Sequence, residues 1–329
     1  MKYLVAGAGG FIGGHLSKKL IEKGFDVTCV DIKPLDNWFQ LHKNSKNISL
    51  DLQKYENSLS VVEGQDCIFN MACNMGGVGF IKWNKAKCML SVLINTHMLM
   101  ACNKFKVNKY FFSSSACAYN TELQKKSNIK GLVESDAYPA MPEDGYGWEK
   151  LFSERMCRHF NEDFKINTKV ARYHNVYGSY GTYDGGREKS PAAICRKIIY
   201  AKINNKKEID VWGDGNQTRS YLFIEDCLDA TLNLFNSKIS GPINIGSEEQ
   251  VSVNQLISIV EKIANYKVKK KYDINMPTGV KGRSSDNTKI KKELKWQPKF
   301  DLYKGLEVTY RWIYDMMLNN SEQNNFTKN

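Results

Sequence analysis

Short apolar runs alternate with longer amphipathic stretches through the first half of the chain. Residues 3–6 are apolar and few, the pattern of a strand buried on both faces. Residues 11–22 place Phe11, Ile12, Leu16, Leu20 and Ile21 on one helical face. The same rhythm predicts strands over 25–30, 48–50, 67–71, 110–115 and 168–172, a long helix over 82–106 and another beginning near Tyr146. Strands alternating with helices in this way predict a parallel sheet with helices on both faces, an α/β Rossmann-type doubly wound fold.

Past residue 175 the rhythm breaks. Residues 178–186, rich in glycine and aromatics, read as a loop; 192–201, 223–235, 253–263 and 305–317 read as helices and 209–212 as a strand. The expected division is a dinucleotide-binding domain over 1–177, with 220–237 packing back on it. A smaller C-terminal substrate-binding lobe then comprises 178–219 and 238–318, and a polar tail over 319–329 is expected to be disordered.

Composition narrows the class. Hydrophobic residues make up 42% of the 329, enough for a large core. No apolar run reaches the ~18 residues of a membrane span, and Met1 leads straight into the first strand rather than into a signal peptide. Nine cysteines at irregular spacing form neither a disulfide framework nor a metal motif. A cytoplasmic protein without a metal is expected. The net charge of +12 suits an anionic ligand, but its lysines are spread out. The nearest approach to a block is residues 267–271, and no nucleic-acid motif accompanies it, so a phosphorylated small molecule is the expected anionic partner and specific nucleic-acid binding is not.

Gly7-Ala8-Gly9-Gly10-Phe11-Ile12-Gly13 lies between a strand and a helix. Glycines at positions 7, 10 and 13 allow the tight turn and let backbone N–H groups near Phe11 and Ile12 approach a pyrophosphate. Asp31 ends the next strand, where a carboxylate accepts the adenosine ribose hydroxyl and repels a 2′-phosphate, which favours NAD over NADP. Asp51 reads equally well as an adenine contact or as a helix N-cap. Tyr146 and Lys150, four residues apart, share a helix face. A phenol beside an ammonium and the cofactor's positive ring is favoured as phenolate, a base for a hydroxyl proton. Ser115, at a strand end, is placed to hold the same substrate oxygen.

With these residues the chain resembles the extended short-chain dehydrogenase/reductase family, whose members modify nucleotide sugars. Five segments sharpen the likeness: Asn74-Met75-Gly76-Gly77-Val78-Gly79-Phe80, Ser114-Ser115-Ala116-Cys117, the run from Gly185 to Ala193, the run from Gly213 to Ser220, and Gly282-Arg283-Ser284-Ser285-Asp286-Asn287. They are similar to those of the family's epimerases that act on GDP-mannose at C3 and C5. That resemblance implies a homodimer and a cycle of transient oxidation at C4, acid/base inversion next to the ketone, and re-reduction. It implies that Cys117 and Lys189 are the acid/base pair, their individual roles left open. A free thiol ionises near ~8.5, and positive charge such as Lys189 would lower that.

The resemblance also implies a substrate site. Gly76 lets the backbone close on the hexose; Asn175, Lys197, Arg219 and Arg283 are the diphosphate candidates; and Glu188, Ser190, Gln217 and Thr218 belong to the matching segments. His174 has no assigned chemical task. Cys73-Asn74 and the missing proline after Tyr119 depart from the pattern, leaving a related sugar such as a heptose, or a different choice between C3 and C5, open. A 4,6-dehydratase would carry an acidic pair where Ala116-Cys117 stands, and a plain 4-epimerase would need neither Cys117 nor Lys189. A cofactor-bound sensor would not need the intact Ser115, Tyr146 and Lys150.

Overall fold

The apolar run that opens the chain is β1 (Lys2–Ala6), buried beyond its first residue because strands pair with it on both sides. In the computed structural model, which describes residues 1–319, it is followed by α1 (Phe11–Glu22), β2 (Asp26–Asp31), β3 (Lys46–Ser49), α2 (Tyr55–Val62) and β4 (Cys67–Asn70). Three helices come next, α3 (Val78–Trp83), α4 (Lys85–Met89) and α5 (Val92–Phe105), then β5 (Lys109–Ser115), α6 (Asp144–Phe164) and β6 (Asn167–Tyr173). The chain continues through β7 (Val176–Tyr177), α7 (Ser190–Ile203), β8 (Glu208–Trp212), β9 (Thr218–Ser220), β10 (Leu222–Phe223), α8 (Ile224–Phe235) and β11 (Pro242–Ile245). It ends with β12 (Gln250–Ser252), α9 (Val253–Ala264), β13 (Lys269–Asp273), β14 (Gly282–Arg283), α10 (Thr288–Leu294) and α11 (Leu302–Asn319).

The main sheet runs β11-β6-β5-β4-β1-β2-β3, with every pairing parallel. This is the Rossmann-type arrangement. Strand order reverses between β1 and β4, so a crevice opens beyond their carboxyl ends. The remaining strands form small sheets, β12-β9-β14, β13-β8 and β10-β7. Of the expected tail, Asn319 ends α11, and residues 320–329 lie outside the described residues.

Four features differ from the sequence pattern. The single helix expected over 82–106 is three helices: Asn84 leaves helical geometry (φ −126°, ψ 44°) while its side chain donates to the Phe80 carbonyl at 3.0 Å. The second break frees the Ser91 hydroxyl to accept the Asn74 N–H at 2.8 Å, which ties the loop after β4 in place. β11 carries too short an apolar run, next to Gly241 and opening on Pro242, to register as a strand until β6 pairs with it. α2 has a mixed polar sequence with only Ser58, Val61 and Val62 buried. The lysine block is the outer strand β13, its Lys269 and Lys271 opposite Glu208 and Asp210 of β8.

Buried polar pairs fix α6 against the sheet. Arg172 of β6 is 1% exposed and forks onto Glu154 of α6 at 2.8 and 2.6 Å, while Ser114 of β5 donates to the same carboxylate. A bidentate pair fixes orientation as well as distance, so the face of α6 that carries Tyr146 is held at the carboxyl end of β5. Nearby, His174 is fully buried with Nε2 2.9 Å from Asn244 Oδ1, and burial lowers its pKa from 6.5 to about 3. Between those values the unfolded chain binds the proton and the folded one does not. Stability is therefore expected to be complete above pH ~6.5 and to fall towards pH ~3, by at most ~1.4 kcal/mol per pH unit. Urea unfolding at stepped pH should show a flatter acid limb for His174→Gln; an identical slope would remove His174 as a cause.

Candidate active site

At the carboxyl end of β1 the chain turns sharply into α1. Gly7 has φ +83°, and a Cβ there would stand 2.8 Å from the Ala72 backbone nitrogen. At Gly13 a Cβ would stand 2.1 Å from the Gly7 carbonyl oxygen. Gly10 is the N-cap, and Phe11, Ile12 and Gly13 form the first turn of α1, whose leading N–H groups have no intrahelical partner. Such a cradle fits a pyrophosphate. Asp31 ends β2 nearly buried and accepts the Lys33 N–H at 3.0 Å; burial pushes its carboxyl up, with Lys33 pulling the other way. Lys33 was not singled out from the sequence; its Nζ also reaches the Gly9 carbonyl at 3.3 Å. Asp51 accepts the Gln53 N–H at 2.9 Å in a turn, and Lys54 takes the N-cap of α2, so the capping alternative for Asp51 is not realised.

Tyr146, Lys150 and Ser115 come together where β5 meets α6. Ser115 caps the short turn 116–118 by accepting the Cys117 N–H at 3.2 Å, and it lines the same cavity as Tyr146. Burial drives the Tyr146 phenol well above its ordinary value, so in the protein alone it is protonated. Lys150 is 1% exposed, 3.4 Å from Glu149 and 5.5 Å from the Tyr146 ring. Burial alone would lower its pKa, but Cys73 and Glu149 outweigh burial and hold it above the ordinary value. Lys150 Nζ nonetheless has no hydrogen-bond partner. An ammonium that is ion-paired with Glu149 but makes no hydrogen bond suits the hydroxyls of a nicotinamide ribose, and with the glycine cradle these residues fit NAD. Cys73, read from sequence as structural, thus borders this group.

Cys117 and Lys189 face one cavity of about 520 Å³, which Tyr146 and Ser115 also line. Lys189 stands immediately before α7, where Pro191 starts the helix. The electrostatics run opposite to the expectation of an acidified thiol. Burial pushes the Cys117 thiol up, with Arg283 pulling it down and Glu143 adding to the rise, while burial pushes Lys189 down. The cation beside the thiol is Arg283, with Nη1 3.2 Å from Sγ. Its Nη2 bonds Glu143 at 2.8 Å and its Nε bonds Gln124 at 2.7 Å.

Of the diphosphate candidates, Arg219 donates to the Thr218, Thr278 and Val280 carbonyls at 2.7–3.0 Å, and Lys197 to the Asp210 carbonyl at 2.7 Å; both line the cavity. Asn175 lines it too, in a left-handed conformation (φ +45°) with its amide on the Ser220 carbonyl. Gly76, Glu188, Ser190 and Gln217 are on the wall, and the Gln217 Oε1 is buried without a partner. Thr218 is not on the wall; its hydroxyl donates to the Ser127 carbonyl. Gly77 explains how the wall closes: its N–H bonds the Arg187 carbonyl at 2.9 Å, and a Cβ there would stand 2.3 Å from the Glu188 carbonyl oxygen. Sequence reasoning missed Glu143 and the Trp83–Trp212 pair, and held Arg187 only as part of the run from Gly185 to Ala193. Only the Gly-Asp-Gly turn after Trp212 gave a local hint of one of them.

The family model for the NAD dependent epimerase/dehydratase family matches residues 3–246. GDP-mannose 3,5-epimerase of Arabidopsis thaliana is 41% identical over 320 residues, 96% of this chain and 83% of that one. GDP-mannose 3,5-epimerase 1 of Oryza sativa subsp. japonica is 40% identical, over 96% and 82%. Among solved structures, UDP-glucose 4-epimerase of Thermotoga maritima with UDP-glucose superposes with a TM-score of 0.86 at 25% identity, covering 96% of this chain and 100% of that one. UDP-glucuronic acid 4-epimerase of Bacillus cereus, in complex with UDP-glucuronic acid and NAD, gives 0.82 at 25% identity, again over 96% and 100%.

Proposed function

Because the chain belongs to the NAD dependent epimerase/dehydratase family, we propose that it inverts GDP-mannose at C3 and C5. It is an isomerase, an NAD-dependent nucleotide-sugar epimerase. The observation that carries the finer reading is one cavity presenting a Tyr146–Ser115 pair together with Cys117 and Lys189. Bound NAD supplies the acceptor for the C4 hydride and returns it.

The chain's own residues do the rest. Gly7, Gly10 and Gly13 with the first turn of α1 hold the pyrophosphate, and Asp31 holds the adenosine ribose. Ser115 orients the C4 hydroxyl, and Tyr146, favoured as phenolate once the cofactor's positive ring joins Lys150 beside it, takes its proton. A ketone at C4 makes the C3 and C5 hydrogens acidic enough for a side chain to remove, and Cys117 and Lys189 move those protons. Arg219, Lys197 and Arg283 supply positive charge for the diphosphate, and Asn175 and Gln217 supply amides. Residues 1–177 with 220–237 then serve the cofactor and lend Gly76, Ser115 and Cys117 to the sugar, and 178–219 with 238–318, apart from β11 in the main sheet, serve the sugar nucleotide.

Two further readings rest on surface and cysteines. α5 and α6 lie side by side and expose Leu93, Met100, Trp148 and Phe152, an apolar face suited to a second copy of the chain. No helix among the described residues is long and apolar enough to cross a membrane, and all nine cysteines are free, which suits the cytoplasm.

Incubation with GDP-mannose in D₂O is expected to place deuterium at C3 and C5 and to yield galactose- or gulose-configured products by NMR. Exchange at only one carbon would restrict the reaction to that centre. No exchange would move the search to other nucleotide sugars, a GDP-heptose first.

A further inference from the structure

Glu143 is the last residue before α6, and its backbone is pinned at both ends. Its N–H donates to the Cys117 carbonyl at 3.0 Å, and its carbonyl accepts the Gly147 N–H at 2.8 Å. The side chain is thereby aimed at the thiol: Cys117 Sγ donates to Glu143 Oε2 at 3.5 Å, and the same oxygen accepts Arg283 Nη2 at 2.8 Å. Behind it the loop closes tightly, since a Cβ on Gly279 would stand 2.9 Å from Glu143 Oε1. Asp144, next along the chain, turns away to Lys85 and Lys82 at 3.3 and 3.7 Å. One carboxylate thus faces the thiol, and a guanidinium faces both.

Resting on the reading of Cys117 and Lys189 as the acid/base pair, we propose that Glu143 is a positioning residue that keeps Cys117 a thiol in the resting enzyme, so that Cys117 starts the cycle as proton donor and Lys189 as proton acceptor. The charged and titratable groups around Cys117 are Arg283 from β14, Glu143 and Tyr146 from α6, Lys189 before α7, Arg219 from β9 and Cys88 from α4. Arg283 favours thiolate; burial and Glu143 favour thiol and win. Lys189 lines the same cavity as Cys117 just before α7, and burial loosens its hold on the proton, so it is the complementary base.

The protons balance. The carbon beside the C4 ketone loses its proton to the Lys189 amine, which becomes ammonium, and the C–H electron pair enters the enolate. The Cys117 S–H delivers its proton to that carbon from the other side and leaves a thiolate opposite Arg283. Transfer of the ammonium proton to the thiolate through solvent resets the pair.

The test is a pH titration of the thiolate ultraviolet band on the purified holoenzyme, with the Cys117→Ser spectrum subtracted to remove the other cysteines. The same subtraction is made for Glu143→Gln against Glu143→Gln/Cys117→Ser. The expected midpoint in the parent protein lies above the ordinary thiol value of ~8.5, and Glu143→Gln lowers it by about one pH unit or more, since Arg283 then acts unopposed. Glu143→Asp should return part of the shift. Equal midpoints in the parent and Glu143→Gln would overturn the proposal. If Glu143→Gln does not fold, the parent alone decides, because a Cys117 already ionised at pH 7 overturns it equally. The titration needs no substrate, so absent turnover of GDP-mannose defeats the functional reading while leaving this result standing. Where turnover occurs, the alkaline limb of kcat/KM should move to lower pH in Glu143→Gln.

Discussion

Tyr146→Phe is expected to lower kcat by about 10³-fold, the range of a lost general acid/base, with little change in KM. Tyr146 and Ser115 line the same cavity, and Tyr146 belongs to the buried cluster of Phe80, Ile81, Cys88 and Cys117. Deleting the oxygen therefore removes the proton acceptor for the C4 hydroxyl and leaves the ring contacts in place. Because oxidation at C4 precedes acidification of C3 and C5, deuterium exchange should fall in step with turnover. Trapping with borodeuteride should find no 4-keto sugar above background. A kcat within tenfold of the parent, or exchange persisting without oxidation, would remove Tyr146 from its assigned role. Lys150→Met should behave alike but also weaken retention of NAD, since the buried ammonium is part of the ribose site.

The second large effect separates the two halves of the chemistry. Cys117→Ser and Lys189→Ala, each alone, should reduce deuterium exchange at C3 and C5 by about 10²–10⁴-fold while oxidation at C4 survives. Serine is nearly isosteric with the thiol but far less acidic, and alanine at 189 removes an amine that lines the cavity just before α7. Borodeuteride should then trap a 4-keto sugar whose C3 and C5 are unexchanged, and the parent configuration should be recovered with label at C4. Loss of oxidation and exchange together would mean that these side chains hold the substrate instead of moving its protons. Unimpaired exchange would discard the pair.

How far each feature could be read from the chain follows from the range of the interactions that make it. The glycine cradle, Asp31 and the Tyr146–Lys150 spacing are local: φ freedom at Gly7, a strand end and one helical turn are set within a few residues. The resemblance of five short segments carried Cys117 and Lys189 into one site, though neither residue carries a local signal of its own. The helix over 82–106 misled because periodicity records which face is apolar and is insensitive to a break such as Asn84, where one side chain bonds a backbone carbonyl. The lysine block is the solvated run it looks like, but that it forms a strand has meaning only opposite Glu208 and Asp210.

By itself, then, the sequence determined the doubly wound parallel sheet, the cofactor cradle and the tyrosine–lysine pair, because backbone sterics and side-chain periodicity act over neighbouring residues. Only the tertiary structure decided the charge state of the chemistry. Cys117, Glu143 and Arg283 converge from a strand end, a helix start and a short edge strand, and the pKa of each depends on burial and on charges within a few ångströms that are remote in the chain. Electrostatic energy falls with distance through space and takes no account of separation along the sequence. For that reason the resemblance led to an acidified thiol paired with Lys189, whereas in the fold burial and Glu143 push the thiol up against the pull of Arg283.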